Sequence, residues 1–138
     1  MRNTLVTLFA VVADLVIASR PVGAHHGAAE FENDPAKRVV LKGTVTQWIW
    51  ANPHTFLLFD VKADDGQLVR WVVEASNPPD MINRGWSIRS FKAGDEVTVT
   101  VRPVKSGKPV GSIIQVRFAD GHVLSAVAGG NEPASARP

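Results

Sequence analysis

The sequence predicts an all-β domain, a small five-stranded Greek-key barrel with one short helix between strands three and four. Two observations carry that prediction. Apolar residues alternate with polar ones in separate stretches between residues 38 and 120, the pattern of strands with one buried face. Turn residues punctuate those stretches, and one helix start, Asn77-Pro78-Pro79-Asp80, interrupts them after the third.

The first predicted strand is Arg38–Trp50, with Val39, Leu41, Val45 and Ile49 on its inner face and Gly43 as a bend or bulge. Ala51-Asn52-Pro53 ends it, since Pro53 restricts the chain and Asn52 can bond its own backbone. His54–Ala63 follows with Leu57, Phe59 and Val61 inward, and Asp64-Asp65-Gly66 is a tight hairpin turn. Gln67–Ser76 returns with Val69, Trp71 and Val73 inward. In the helix, Asn77 caps the first turn, Gly85 ends the last, and Met81, Ile82 and Trp86 face the core. After Lys92-Ala93-Gly94-Asp95, Glu96–Pro103 carries Val97, Val99 and Val101 inward. After Ser106-Gly107-Lys108-Pro109, Ser112–Asp120 carries Ile114, Val116 and Phe118, and Gly121-His122 permits a short extension. Three strands, a helix and two strands is the order of an oligomer-binding (OB)-like barrel, and a long first strand suits its curvature. An irregular sandwich of the same strands is the alternative.

The chain of 138 residues divides into three expected parts. Residues 1–24 read as a signal peptide: Arg2, a short apolar run from Leu5 to Ala13, and a small-residue cleavage site at Val22-Gly23-Ala24. The run is too short to span a bilayer, although Asp14 and Arg20 leave an uncleaved leader as the competing reading. Residues 25–127 form the barrel domain, and residues 128–138, rich in Gly, Pro, Ala and Ser with nothing to bury, are expected to be a disordered tail. The expected location is therefore periplasmic, without a stable membrane anchor. The formal net charge of +2 falls by one unit when Arg2, Arg20 and Asp14 leave with the leader, which argues against nucleic acid as a partner. There is no cysteine, so neither a disulfide nor a lipid-modified Cys is available.

The chain carries, in this order, Ala24-His25-His26-Gly27, Gly43-Thr44-Val45, Trp50-Ala51-Asn52-Pro53-His54, Trp71-x-x-Glu74, Arg84-Gly85-Trp86 and Lys92-x-Gly94-Asp95. In this the chain resembles an uncharacterised domain-of-unknown-function family of small exported proteobacterial proteins. The resemblance covers His25 to about Leu124 and implies export and an OB-like barrel. It implies no activity.

Two constellations could bind something. Cleavage after Ala24 would leave His25 with a free amine beside its imidazole, a chelating pair for one metal ion. His25, His26, His54 and Glu74 form the metal hypothesis, with Glu74 as ligand or as the carboxylate that orients an imidazole. Copper is the favoured ion on affinity order. The plain alternatives are a polar flexible start at His25-His26 and a backbone-capping role for His54. The second constellation is an outer face of Trp48, Trp50, His54, Phe56, Leu58, Arg70, Val72 and Glu74, half apolar where a solvated face should be polar. Trp48, Trp50, Phe56 and Arg70 could receive a protein or oligosaccharide, or the N-terminal segment through Phe31 and the helix could cover them. No nucleophile elbow, phosphate loop or Cys-based site is present, and a lone His54–Glu74 pair is thin support for acid–base chemistry. The expectation is a non-catalytic protein that binds a metal or another small ligand, with a periplasmic protein partner as the alternative.

Overall fold

The computed structural model describes residues 30–128. The expected leader, His25, His26 and residues 129–138 lie outside them. β1 (Val39–Ile49), β2 (Thr55–Lys62) and β3 (Leu68–Ala75) precede the helix α1 (Pro78–Asn83); β4 (Glu96–Pro103), β5 (Val110–Phe118) and a short β6 (Val123–Ser125) follow it. The sheet order is β3-β2-β1-β4-β5-β6, and a parallel pairing of β3 with β5 closes the first five strands into a barrel. The all-β, OB-like prediction describes this architecture.

β1 is long because it serves two partners. Its first half pairs with β4 and its second with β2, and Gly43 and Thr44 pair on both sides. Gly43 has to be a glycine for lack of room: a Cβ there would stand 2.5 Å from the Asp60 carbonyl oxygen and 2.8 Å from the Phe59 ring. The bulge itself lies three residues later. Val45 opposes Phe59 while Gln47 opposes Leu58, which leaves Thr46 as the extra residue. Its hydroxyl donates to the Leu58 carbonyl at 3.1 Å.

A single extra residue reverses the inward–outward phase of everything beyond it. Trp48 therefore opposes the fully buried Leu57, and Ile49 opposes Phe56. Directly opposed residues share a face, so the expected placement is corrected: Trp48 turns inward and Ile49 outward. Both Trp48 and Trp50 pack against the core instead of forming an outer platform. The Trp48 ring lies 5.9 Å from that of Trp86 and 5.0 Å from Phe91, and 5.6 Å from Trp50. Its Nε1–H donates to the Ser87 carbonyl at 3.0 Å.

The same device acts in β5. Thr100 opposes Gln115 but Val101 opposes Ile113, so Ile114 is skipped. Ile113 and Val116 become the buried residues, which corrects the inward assignment of Ile114. The strand also starts at Val110, earlier than expected, because Val110, Gly111 and Ser112 reach β3. A Cβ at Gly111 would collide with Val101 and the Arg102 carbonyl, so that close approach requires glycine.

Asn77 caps α1 by accepting from the Asp80 amide at 3.0 Å, and Gly85 adopts a φ of 85° just past its end. Met81 and Trp86 enter the core as expected, and the Trp86 Nε1–H donates to the Ser125 carbonyl at 2.7 Å. Ile82 does not follow them. It is 59 % exposed, because a six-residue helix offers one narrow inward stripe and Met81 occupies it. Phe59 is fully buried, and Trp71 and Phe118 pack against the same core. Each fully buried large apolar side chain contributes about 1.5–3 kcal/mol, and in a chain without cysteine that burial carries the stability.

Candidate functional site

Five outward residues line up across five strands. Ile49 opposes Phe56, Phe56 opposes Glu74, Glu74 pairs with Ser112, and Ser112 opposes Arg102. His54 stands beside this row, immediately before β2. It is held there because buried Thr55 is pinned to Ser76: the Thr55 amide and hydroxyl both donate to the Ser76 carbonyl, at 3.1 and 3.0 Å. The His54 Nδ1 lies 3.7 Å from the Glu74 Oε2, and the side chains are 47 % and 23 % exposed. That spacing is longer than a direct hydrogen bond. The Phe56 ring lies 6.4 Å from the imidazole.

An open cleft of about 430 Å³ lies in front of this pair, lined by His54, Glu74, Ser76, Asp80, Arg84 and Ser112 among others. Two of the lining residues neutralise each other. Arg84 donates through Nε and Nη2 to the two Asp80 oxygens at 3.1 and 3.2 Å. Those bonds hold the Asp80 carboxyl below its usual value, and the Ser76 hydroxyl lowers it further. His54 and Glu74, which also line the cleft, supply a ring nitrogen and a carboxylate oxygen, both competent metal donors. Among the described residues, no three His, Cys, Asp or Glu side chains cluster in a way that could hold a metal ion.

The described chain enters on the same side of the barrel. Phe31, 3 % exposed, bridges antiparallel to Val104, with the Glu32 amide donating to the Pro103 carbonyl at 2.8 Å. The Lys105 amide donates to the Glu30 carbonyl at 2.9 Å. The Arg102 guanidinium carbon stands 5.2 Å from the centre of the Phe31 ring, and its buried Nε has no hydrogen-bond partner. A second hollow, about 580 Å³, opens here beside Glu30, Val104, Lys105, Lys108 and Val110.

The structure therefore brings together His54, Glu74 and Phe56 from the expected site residues. It separates Trp48 and Trp50 from them. Arg70 is outward but engaged: it donates to both Asp60 oxygens at 2.9 and 3.1 Å, which lowers the Asp60 carboxyl and raises the guanidinium. His25 and His26 lie outside the described residues. Sequence reasoning missed Ser76, Asp80, Arg84 and Ser112 of the cleft. Asp80 and Arg84 carried a legible signal, an acid–base pair four apart on a helix. Ser112 carried none, because only the β3–β5 pairing brings it to Glu74. His122 makes a separate carboxylate contact on an exposed turn, its Nδ1 2.8 Å from Asp120 Oδ1 and its ring stacked 4.0 Å from Phe118.

No helix among the described residues is long and apolar enough to cross a membrane. No curated protein matches the chain. No solved structure matches it either. A family model does match, over residues 12–114, and the protein belongs to that family, a family of unknown function (DUF6152).

Proposed function

We propose that this protein is exported to the periplasm and binds a transition metal there without catalysis, copper before other ions. The ligands are the amine and imidazole of His25, freed by cleavage after Ala24, together with His54; His26 is a further donor. Glu74 either completes the set or orients the His54 ring. The observation that carries this reading is the placement of the His54–Glu74 pair on the same outer side as the Phe31 anchor.

Covalent reach supports it. Five residues from Glu30 back to His25 span up to about 17 Å when extended. From Glu30 the route to Glu74 crosses Val104, Val110 and Val72. Three inter-strand steps of about 14 Å in all, and two residues along β3 of about 7 Å at right angles to them, combine to a straight-line separation of about 16 Å. Donor chemistry supports it too: the chain has no cysteine and Met81 is fully buried, so nitrogen and oxygen donors favour a divalent ion over a cuprous one.

The test is a Cu(II) titration of the purified exported protein, with its N-terminus sequenced. Binding weakened by both His25→Ala and His54→Ala is the expected result. A mature end other than His25, or affinity indifferent to both substitutions, would overturn the reading.

A second reading is a protein- or oligosaccharide-binding module. The half-buried outward strip of Ile49, Phe56, Leu58, Val72 and Val110 favours it. Core-packed Trp48 and Trp50 and paired Arg70 weaken its oligosaccharide form.

A further inference from the structure

We infer that the segment from Met81 to Lys92, which leads out of α1, docks the protein on an anionic phospholipid surface: Ile82 and Ile88 enter the interface, and Arg89 and Lys92 meet the phosphates. The inference is independent of the metal reading above. The segment has two sides. Met81, Trp86 and Phe91 are buried in the core, whereas Ile82 and Ile88 between them are 59 % and 63 % exposed. Fraying does not account for that exposure, because the backbone is tied down throughout. The Trp86 amide donates to the Met81 carbonyl at 3.0 Å, the Ser87 amide to the Ser90 hydroxyl at 2.8 Å, and the Trp48 Nε1–H to the Ser87 carbonyl. The isoleucines are therefore displayed outward by a fixed scaffold.

Charge complementarity selects the surface. Residues 81–94 hold Arg84, Arg89 and Lys92 and no acidic residue. Arg84 is engaged by Asp80, but Arg89 and Lys92 are exposed and form no ion pair among the described residues. The next carboxylate along the chain, Asp95, accepts from the Lys92 amide at 3.0 Å. Trp48 and Trp50, both only partly buried, border the segment through the bond to Ser87, and indoles suit the level of lipid headgroups. Outward apolar side chains beside unpaired cations are what an interfacial element presents to anionic lipid. A globular protein partner would need about 800 Å² of matching surface. Two separate isoleucines do not supply that, whereas a fluid bilayer needs no matching shape. The attachment is peripheral and reversible.

The experiment is co-sedimentation of the purified exported protein with vesicles of phosphatidylglycerol and phosphatidylcholine in equal parts, and with phosphatidylcholine alone. The anionic vesicles should bind it, the zwitterionic ones should not, and added salt should weaken the binding by screening. Arg89→Gln and Lys92→Gln should each weaken it about fivefold. Ile82→Ser and Ile88→Ser should each weaken it about tenfold, the equivalent of burying part of one isoleucine. All four side chains are exposed, so melting temperatures should stay close to that of the unaltered protein. Leu68→Ser/Lys62→Gln removes an exposed leucine and lysine opposed in the β2–β3 hairpin and should leave binding unchanged, while Ile88→Ser/Arg89→Gln should nearly abolish it. Equal binding to both vesicle types, or the same loss from the hairpin pair, would overturn the inference. No binding to either vesicle type would overturn it too; retention on immobilised polyglutamate in that case, lost with Arg89→Gln, would assign the segment to an acidic protein.

Discussion

Truncating Trp48 to alanine should destabilise the barrel by about 3 kcal/mol, the low end for removing a large aromatic from a core. The figure follows from what the side chain touches. Its Nε1–H bond to the Ser87 carbonyl is a neutral hydrogen bond with a net contribution of about 1 kcal/mol. Its ring pairs with Trp86 and Phe91 each add about 0.5–1.5 kcal/mol beyond area burial. The side chain is only partly buried, so the burial contribution falls short of that for Leu57 or Phe59. In a domain of this size 1 kcal/mol moves the melting temperature by about 4–8 °C, so the expected drop is about 12 °C or more. Urea unfolding followed by far-ultraviolet circular dichroism measures it directly. Trp48→Phe separates the parts, since it keeps most of the ring packing and loses the bond, at about 1 kcal/mol. A change within about 0.5 kcal/mol for Trp48→Ala is what an exposed surface position gives. That result would place Trp48 outside and remove the Thr46 bulge from the argument.

Gly43→Ala should lower stability by about 1–3 kcal/mol, an overpacking cost, because the new methyl meets backbone at Asp60 that cannot step aside; a thermal melt decides it. Acid should remove stability through Asp60 and Asp80. Both carboxyls are depressed by arginine partners, so their contribution is whole above the usual carboxylate range, about pH 4, and is lost as pH falls below it. Urea midpoints from pH 6 down to pH 3 should therefore decline, and Asp60→Asn or Asp80→Asn should each flatten part of the slope. Glu74→Gln should weaken Cu(II) by about 10–100-fold if the carboxylate orients His54, with the apo-protein midpoint little changed; isothermal titration beside a melt separates the two effects.

The strand order and the core were legible because alternation is a local signal. Val97, Val99 and Val101 in β4 are buried as the pattern requires. The same arithmetic failed at Trp48 and Ile114 for one reason. A bulge adds a residue without changing composition, and Thr46 reads as an ordinary strand residue while Gly43, three positions away, carries the conspicuous signal. Of the site, His54 and Glu74 were visible as a pair on one face, because they flank a single hairpin. Ser112 and Arg102 were not, since strand closure across distant sequence decides their company. Arg70 was visible, but its engagement depends on the cross-strand register that sets it opposite Asp60.

The barrel is zipped along very unequal lengths. β2 and β3 register over their entire extents, whereas β3 and β5 meet only at Val72, Val73 and Glu74, with the Val72 amide donating across to Pro109 at 3.0 Å. Parallel pairing is also the weaker kind per residue, so breathing of the closed cylinder concentrates at that seam. His54 hangs from one lip, and the Phe31 anchor belongs to the other. An ion held jointly by residues from both lips would act as a clasp, and its arrival would register as slowed amide exchange at Val72 and Glu74 while the rest of the sheet stays unchanged.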